Sequence, residues 1–354
     1  MKTEVVTIDE NNLDEEAIKN LKRAGRILEE GGLVAFPTET VYGLGGDARN
    51  KESSKKIYAA KGRPSDNPLI VHIYRTEDLY KVASNVPDIA LKLADKFWPG
   101  PMTMILNKSD LIPLETTGGL DTVAVRMPSN KIAAAMIKEA GGFVAAPSAN
   151  TSGRPSPTVA QYCIEDLDGK IEMIIDGGAV GIGLESTIID LTSSKPMILR
   201  PGYITFEMLE EVLGKGNVDI DKTIIDANSG LHPKAPGMKY RHYAPKGDLT
   251  IVEGSLENVV KYINDNAKKC KQQGKRVGII ATSETKDLYK GDVVKNVGSR
   301  NDEEAVAKHL FQILREFDDE NVDVMFSESF DRSGIGQAIM NRLLKAAGQH
   351  VEKV

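Results

Sequence analysis

The sequence predicts an α/β protein of two domains: an N-terminal twisted, open mixed sheet with helices, and a smaller C-terminal parallel α/β domain. The first observation behind this prediction is the length, since 354 residues correspond to about two domains. The second is a series of short apolar strands in the N-terminal part, with few regular strand–helix repeats. The third is a regular alternation of strands and helices over the last ~105 residues, which is typical of a parallel sheet.

The N-terminal domain is predicted to begin with an amphipathic helix over 14–30. Apolar residues recur there at helical spacing, and Gly31 and Gly32 end the pattern. Further helices are expected at 51–60, 76–83, 87–97, 130–140 and 158–167. Apolar runs predict strands at 33–37, 68–74, 102–106, 122–127, 143–147, 171–176 and 186–191. The many strands and the few regular repeats favour a mixed sheet.

The C-terminal domain shows a Rossmann-like alternation, which predicts a small parallel sheet. Strands are expected at 248–253, 276–281, 292–297 and 322–327. Helices are expected at 256–273, 301–317 and 335–347. No GxGxxG sequence occurs, so no dinucleotide site is predicted. The turns at 298–300 (GSR) and 333–336 (SGIG) are only weak indications of anion binding.

The stretch 215–247 is rich in proline and glycine and predicts an extended linker between domains at 1–214 and 248–354. Within it, MKYRHYAP (238–245) places Tyr240 in a basic, aromatic segment. We favour a lid that closes over a nucleotide site, because such a site must exclude water. Stacking on RNA and a passive spacer are the alternatives.

Composition and missing motifs exclude several classes of protein. The net charge is −6, and residues 1–214 alone carry −7, so a large basic nucleic-acid surface is not expected. No apolar run could span a membrane, and MKTEVVTIDE has no signal-peptide pattern. The two cysteines and the scattered histidines do not predict a metal site, and P-loop, HExxH and kinase signatures are absent. The sequence therefore predicts a cytoplasmic protein with no protein-only metal site and no membrane partner.

Polar loops that follow or precede apolar strands are the candidate functional sites. They are FPTETVYGLGGDA (36–48), KGRPSDNPL (61–69), AAPSANTSGRPSPT (145–158), GLESTIID (183–190) and LRPGYI (199–204). Each also has an ordinary structural explanation, as a helix cap, a solvated turn or a polar loop. Together they supply cations and hydroxyls without a nucleophile–base pair. That inventory suits the binding of a nucleotide and a small polar substrate.

Lys61 and Arg63 stand two residues apart in the second of these loops. In an extended segment such residues point to the same side, so two cations would face one polyphosphate. Exposed loop cations contribute little to stability, and we therefore expect alanine at either position to leave folding nearly unchanged.

These motifs, together with WPGPMT (98–103) and VRMP (125–128), resemble the YrdC family in content and in order. The linker APGMKYRHYAP (235–245) and the α/β domain after it resemble the long two-domain Sua form of that family. The resemblance covers nearly the whole chain. It implies a YrdC-like catalytic domain, a Sua-type C-terminal domain, and threonylcarbamoyl-AMP synthase activity, which is a nucleotidyltransferase reaction.

The reaction implied by the resemblance joins L-threonine, bicarbonate or CO2, and ATP. The threonine amine captures the carbon, the carbamate oxygen attacks the α-phosphate, and pyrophosphate leaves with Mg2+. The product would serve N6-threonylcarbamoyladenosine (t6A) formation at position 37 of tRNAs that read ANN codons, through a downstream tRNA threonylcarbamoyl-transferase complex. No stable nucleic-acid complex is required. In-line attack at phosphorus needs positioning and charge neutralisation more than a protein nucleophile.

The resemblance also implies roles for individual residues. The catalytic residues, which would hold the phosphates and the carbamate, are Lys61, Arg63, Ser148 and Asn150. Further ATP contacts would come from Arg200 and Tyr240. The threonine side would be formed by Thr38, Tyr42, Arg126, Ser186 and His72. Arg126 would pair with an anionic group such as the threonine carboxylate, and a satisfied core histidine is an equally good explanation of His72.

The sequence leaves two other functions open. An RNA-binding or translation-associated module would use the same loops for nucleic acid without adenylate chemistry, although the charge of −7 argues against it. A carbamoyl-transfer enzyme acting on carbamoyl phosphate is the second alternative. The acylphosphatase and zinc-finger segments expected beside such a domain are missing from this sequence.

Overall fold

The computed structural model describes residues 2–221 and 242–354. Most of the predicted linker, including Tyr240, lies outside the described residues, so the lid hypothesis stays a prediction. Within the described ranges, no helix is both long and apolar enough to cross a membrane.

The described residues form two compact units. The first contains those within Met1–Ser152, Ser156–Gly181 and Glu185–Lys239, and the second those within Gly153–Pro155, Ile182–Leu184 and Tyr240–Val354. Two short segments of the predicted N-terminal domain (1–214) therefore belong to the second unit. One of them contains Gly183, where a Cβ atom would lie 2.5 Å from Lys308 Cα, so the close approach requires glycine.

The first unit is built on one mixed sheet, as the sequence predicts. Its strands are β1 (Glu4–Thr7), β2 (Val34–Phe36), β3 (Gly43–Asp47), β4 (Ile70–His72), β5 (Met102–Asn107), β6 (Thr122–Arg126), β7 (Val144–Ala146), β8 (Met173–Asp176), β9 (Thr187–Asp190), β10 (Met197–Arg200) and β11 (Asp219–Ile220). Their order is β1-β8-β2-β3-β7-β4-β6-β5-β9-β10-β11. The pairs β2–β3, β3–β7, β4–β7, β5–β6 and β9–β10 are antiparallel, and the other pairs are parallel.

Helices pack on this sheet and supply much of its core. They are α1 (Glu15–Glu29), α2 (Lys51–Lys61), α3 (Leu79–Val82), α4 (Asp88–Phe97), α5 (Lys131–Glu139), α6 (Ala160–Leu167) and α7 (Phe206–Leu213). Side chains cap the helices that flank one face: Asp14 accepts from Ala17 N at the start of α1, and Asn130 accepts from Ala133 N at the start of α5. The buried residues of α1 and α5 pack together with β2, β7 and β8.

Strand β3 corrects the sequence analysis, which treats Gly43, Gly45 and Gly46 as loop residues. Glycine is depleted in strands because it has no side chain to pack. Here the Phe36 ring occupies the space, since a Cβ atom at Gly43 or Gly45 would lie 3.1 or 3.0 Å from it. Strands β1, β10 and β11 and helix α7 are not predicted from the sequence, because their patterns are short.

The second unit contains a five-stranded parallel sheet, which confirms the predicted parallel domain. Its strands are β12 (Asp248–Glu253), β13 (Val277–Ala281), β14 (Val293–Asn296), β15 (Val324–Glu328) and β16 (Val351–Lys353), in the order β14-β13-β15-β12-β16. Its helices are α8 (Leu256–Gln272), α9 (Glu303–Asp319) and α10 (Gly334–Ala346). Arg300, in the turn before α9, pairs with the buried carboxylate of Glu328. The positive charge of Arg300 is therefore already compensated by Glu328 within the second unit.

Candidate functional site

A row of polar side chains lies on one face of the first unit's sheet. In the strand register, His72 of β4 lies opposite Arg126 of β6, and Arg126 lies opposite Thr103 of β5. Directly opposed residues project from the same face of a sheet, and residues two positions away share that face. The row is therefore bordered by an apolar patch on the same face. The buried residues of this patch are Ile70, Ile105, Ala124, Ile188 and Leu199.

Arg126 is the centre of this row. Its Nη1 donates to Thr40 Oγ1 at 2.9 Å, and its Nη2 lies 2.8 Å from Glu39 Oε1. In the described part of the chain, both Glu39 oxygens and Nε and Nη2 of Arg126 are buried and make no aligned hydrogen bond. A buried ion pair is costly unless its remaining donors and acceptors are satisfied. The Arg126 cluster, defined as Glu39, Thr40 and Arg126, therefore has capacity for a ligand that carries both donors and acceptors.

Thr38 shapes the loop that carries Glu39 and Thr40 to Arg126. Its Oγ1 donates to Val41 O at 2.6 Å and lies 2.9 Å from Thr40 Oγ1. The backbone N–H of Thr40 donates back to Thr38 Oγ1 at 3.2 Å. The structure thus joins Thr38, predicted on the threonine side, to the Arg126 cluster.

Tyr42 is predicted on the same side, but its hydroxyl points elsewhere. It donates to Gly178 O at 2.7 Å and accepts from Gly177 N at 3.1 Å. Burial raises the pKa of this phenol, so it stays protonated and keeps this anchor at neutral pH. The backbone carbonyl of Tyr42 accepts from Ala149 N at 2.8 Å. Tyr42 therefore ties the β2–β3 loop to the loop after β7 and does not join the Arg126 cluster through its hydroxyl.

Ser186 and Arg200 form a second polar group beside the row. Arg200 Nε donates to Ser186 O at 3.0 Å, and Nη2 donates to Ser186 Oγ at 3.1 Å. Ser186 Oγ lies 2.8 Å from Thr103 Oγ1, and Thr103 is the strand partner of Arg126. All three side chains are buried. The structure therefore brings the predicted threonine-side Ser186 next to the row, with the predicted ATP contact Arg200 held against it.

Lys61 does not lie in an extended segment, which corrects the argument from residue spacing. It is the last residue of α2, and Gly62 ends the helix in the left-handed region with a φ of 60°. Its ammonium group donates to the backbone carbonyls of Ser148 and Asn150, and its side chain is buried rather than exposed. The end of helix α2 therefore places the Lys61 ammonium group against the loop after β7.

Arg63 follows the helix end and is also buried. Its Nε donates to Asn67 O at 3.3 Å, and its Nη2 donates to Pro68 O at 3.2 Å. Both acceptors belong to its own loop, so the KGRPSDNPL segment itself orients the guanidinium. The two predicted phosphate-binding cations are thus held by different groups of carbonyls.

Ser148 and Asn150 lie where the motif loops of the first unit meet. Ser148 Oγ donates to Asn150 Oδ1, and Asn150 Nδ2 donates to Thr151 O at 2.9 Å. Ser152 N donates to Lys61 O at 2.8 Å, which completes the connection to α2. The backbone of the β2–β3 loop pairs with the same segment through the bridge between Gly43 and Ser148. Hydrogen bonds therefore join the segments 38–42, 61–63 and 148–152 in one region of the first unit.

His72 is a buried, neutral neighbour of Arg126. Its Nδ1 lies 3.1 Å from Ile70 O, so this nitrogen carries the proton in the neutral ring. Burial and, to a lesser degree, the Arg126 charge lower the pKa of His72 to about 3. The imidazole is therefore uncharged at neutral pH, with its one N–H directed at Ile70 O and its Nε2 as an acceptor.

Replacing His72 by asparagine should make the unfolding free energy fall less steeply as pH falls. Between an unfolded pKa of about 6.5 and a folded pKa of about 3, the unfolded wild type binds more protons, so its stability falls as pH falls. One such group contributes up to about 1.4 kcal/mol of unfolding free energy per pH unit. Urea unfolding at pH 6.5, 5.5 and 4.5 measures this slope, with fluorescence of Trp98, the chain's one tryptophan, reporting on the first unit. An unchanged slope in the variant would contradict the burial argument.

The sequence analysis gives no role to three residues that the structure places at the site: Glu39, Thr40 and Thr103. Glu39 and Thr40 stand inside a quoted motif, so their sequence neighbourhood was a usable signal. Thr103 is the last residue of the WPGPMT motif, but its place beside Arg126 is set by the strand register. Sheet register is a long-range property that a local pattern does not specify.

Possible metal ligands are scattered in the described ranges 2–221 and 242–354. No three or more His, Cys, Asp or Glu side chains there are grouped closely enough to hold an ion. The Glu39 carboxylate faces the Arg126 guanidinium.

Comparisons with known proteins find the same family over nearly the whole chain. A family model described as "Telomere recombination" matches residues 26–202, and one described as "Threonylcarbamoyl-AMP synthase, C-terminal domain" matches residues 204–348. The chain is 48% identical over 332 residues to the threonylcarbamoyl-AMP synthase of Bacillus subtilis, covering 94% of each chain. It is 47% identical to that of Pyrococcus abyssi, covering 94% of this chain and 96% of the relative. A crystal structure of P. abyssi Sua5 complexed with L-threonine has a TM-score of 0.92 and 46% identity, and covers 99% of this chain and 100% of that one.

Proposed function

Since this chain belongs to the family of threonylcarbamoyl-AMP synthases, which are enzymes of the nucleotidyltransferase type, we propose that it forms L-threonylcarbamoyl-AMP and pyrophosphate from L-threonine, bicarbonate or CO2, and ATP. The observation that carries the proposal is the match over nearly the full length to a relative crystallised with L-threonine. The Arg126 cluster supports it independently, because a buried pair of opposite charges with unused hydrogen-bonding capacity suits a zwitterionic amino acid.

On the threonine side, Arg126 would bind the carboxylate, and Glu39 would bind the ammonium group. The pair already lies 2.8 Å apart, so the substrate would bridge charges that the fold has placed together. Thr38 contacts Thr40 of the cluster, His72 lies opposite Arg126 in the sheet, and Ser186 contacts Thr103. They supply uncharged hydrogen-bonding groups for the threonine hydroxyl.

On the nucleotide side, Lys61 and Arg63 would neutralise the phosphates, and Ser148 and Asn150 would contact the nucleotide and the carbamate. Support comes from the α2 end, which brings the Lys61 ammonium to the carbonyls of Ser148 and Asn150. Arg200 would add a phosphate or adenylate contact next to Ser186. Mg2+ would enter as part of the ATP substrate, and its ligands would be phosphate oxygens and water.

The chemistry needs two bond-forming steps. The threonine ammonium first loses a proton, for which Glu39 is the adjacent acceptor. The free amine attacks the carbon of CO2, one C=O π bond opens onto oxygen, and the nitrogen loses a second proton to solvent to give the carbamate. A carbamate oxygen then attacks the α-phosphorus of ATP, and the bond to pyrophosphate breaks. The protein's contribution to the second step is alignment and charge neutralisation by Lys61 and Arg63.

The product of this reaction would feed a tRNA modification. We place it upstream of t6A formation at position 37 of tRNAs that read ANN codons, with a downstream threonylcarbamoyl-transferase complex as the consumer of the product. A cytoplasmic location fits that role. No stable complex of this chain with nucleic acid is part of the proposal.

Pyrophosphate release from ATP tests the proposed function. We expect release that requires both L-threonine and bicarbonate, with L-threonylcarbamoyl-AMP as the product detected by mass spectrometry. Release without threonine, or carbamoyl transfer from carbamoyl phosphate, would favour a different enzyme. Binding of duplex RNA without any turnover would favour the RNA-binding alternative.

Amino-acid selectivity provides a second prediction for the same assay. Threonine should be preferred over serine and, by a wider margin, over valine. Valine would leave polar groups such as Ser186 Oγ without the hydroxyl they bind, and a site built for a hydroxyl rejects its apolar analogue strongly. The ratio of kcat/KM values measures this preference. Equal use of valine would show that Thr38 and Ser186 do not contact the hydroxyl.

A further inference from the structure

The loop that carries Arg63 is held by hydrogen bonds from a side chain that has no role in the proposed chemistry. Tyr58, one helical turn before Lys61 on α2, is buried, and its hydroxyl reaches forward along the chain. It lies 3.2 Å from Asn67 O and 3.1 Å from Glu115 O. Asn67 O is also the acceptor for Arg63 Nε at 3.3 Å. The Tyr58 hydroxyl and the Arg63 guanidinium therefore share Asn67 O as a hydrogen-bond acceptor.

Both ends of the Arg63 loop depend on Tyr58. At the start, Arg63 N donates to Tyr58 O at 2.9 Å as part of the helix cap. At the end, the Tyr58 hydroxyl holds Asn67 O, while Leu69 N donates to Thr116 O at 3.0 Å. One residue thus fixes the chain both before and after the turn. The acceptors of the Arg63 guanidinium lie inside that turn.

One side of this turn borders an open cavity. A cavity of about 510 Å³ lies against it, and its wall includes Tyr58, Ser65, Asp66, Leu114 and Glu115. Residues next to a cavity have fewer packing contacts to restrict them. Burial raises the pKa of Tyr58 to about 12, so its hydroxyl remains a donor at neutral pH. The position of the turn therefore depends strongly on directed hydrogen bonds.

We infer that Tyr58 is a positioning residue for Arg63, acting through the shared Asn67 carbonyl to aim the guanidinium at the phosphates. The inference rests on the proposed function for its catalytic consequence, but the positioning itself is a property of the first unit. Arg63 would touch the substrate, whereas Tyr58 would not. Loss of the hydroxyl should therefore act only through Arg63.

The variant Tyr58→Phe removes the hydroxyl and keeps the ring. We expect kcat/KM for ATP to fall about tenfold, because small misplacements of a catalytic group are costly, while KM for threonine changes less than twofold. In an Arg63→Ala background, Tyr58→Phe should cause less than a twofold further loss. Effects that multiply in the double variant would overturn the inference, because they would show that Tyr58 acts independently of Arg63.

A control on the same helix separates positioning from general loss of packing. Ser54 Oγ lies 2.8 Å from Thr116 Oγ1, so Ser54→Ala loses a buried hydrogen bond to the same neighbouring loop without touching Asn67. We expect this variant to retain activity within twofold. An activity loss as large as that of Tyr58→Phe would overturn the inference, since it would assign the effect to the 114–117 segment.

A measurement without substrates keeps the inference distinguishable from the proposed function. The Arg63 Nε–H signal, assigned by its loss in Arg63→Lys, can be followed by NMR in the full-length ¹⁵N-labelled protein. We expect its exchange with water to become at least tenfold faster in Tyr58→Phe and to stay unchanged in Ser54→Ala. Unchanged exchange in Tyr58→Phe would overturn the inference. A wild type that releases no pyrophosphate would contradict the proposed function and leave the NMR result standing.

Discussion

Replacing Lys61 or Arg63 by alanine should lower threonine-dependent pyrophosphate release roughly 30- to 1,000-fold, equal to about 2–4 kcal/mol of transition-state stabilisation. Charge develops on the phosphates as pyrophosphate leaves, and a fixed cation stabilises it without reorganising. Both side chains are buried and hydrogen-bonded to backbone carbonyls, so their positions are set before substrate arrives. Steady-state release at saturating threonine and bicarbonate measures the loss.

The control for this experiment lies on the same helix. Lys56 is exposed and donates to Gly31 O at 2.6 Å, so Lys56→Ala should keep turnover close to that of the wild type. Lys61→Ala leaves the carbonyls of Ser148 and Asn150 without this donor and should reduce the unfolding free energy by about 1–3 kcal/mol. Lys61→Met keeps the apolar stem and separates the two effects. A folded Lys61→Met protein with near-normal turnover would contradict the phosphate assignment.

The sequence alone predicts unchanged folding in these variants because it takes both cations to be exposed, and the structure shows that both are buried. The sequence predicts a helix over 51–60, but α2 continues for one more residue and then turns at Gly62. Lys61 therefore belongs to the helix and Arg63 to the loop after it. A glycine directly after a helical pattern signals such an end. The burial of both cations depends on carbonyls from other loops, which spacing along the chain does not reveal.

The polar loops themselves could be predicted from local sequence, because each joins the end of a recognisable apolar strand. The arrangement of these loops in space could not be predicted from local sequence. Glu39 and Arg126 are separated by more than eighty positions, and they meet because β6 is placed beside β4 and β5 in the sheet. The two segments at 153–155 and 182–184 join the second unit for a similar reason. Gly183 permits a backbone approach to Lys308 that no local pattern encodes.

Breaking the Arg126–Glu39 pair should produce the largest combined effect on stability and on threonine use. Arg126→Met leaves the Glu39 carboxylate without its cation in a largely buried position, which costs about 3–5 kcal/mol of unfolding free energy. It also removes the group that would bind the substrate carboxylate. Charge-assisted hydrogen bonds are worth about 1.5–3 kcal/mol each, so kcat/KM for threonine should fall about 10- to 100-fold.

The double variant Glu39→Met/Arg126→Met separates the structural cost from the functional one. Replacing both members of a buried ion pair with apolar side chains is often neutral or stabilising, so Trp98 fluorescence should show recovery of most of the lost stability. Threonine use should not recover, because neither the carboxylate nor the ammonium group of the substrate finds its partner. The affinity for ATP should stay near that of the wild type, since Lys61 and Arg63 are intact. A stable double variant with a normal KM for threonine would show that the amino acid binds elsewhere, and the Arg126 cluster would then be a structural feature of the sheet.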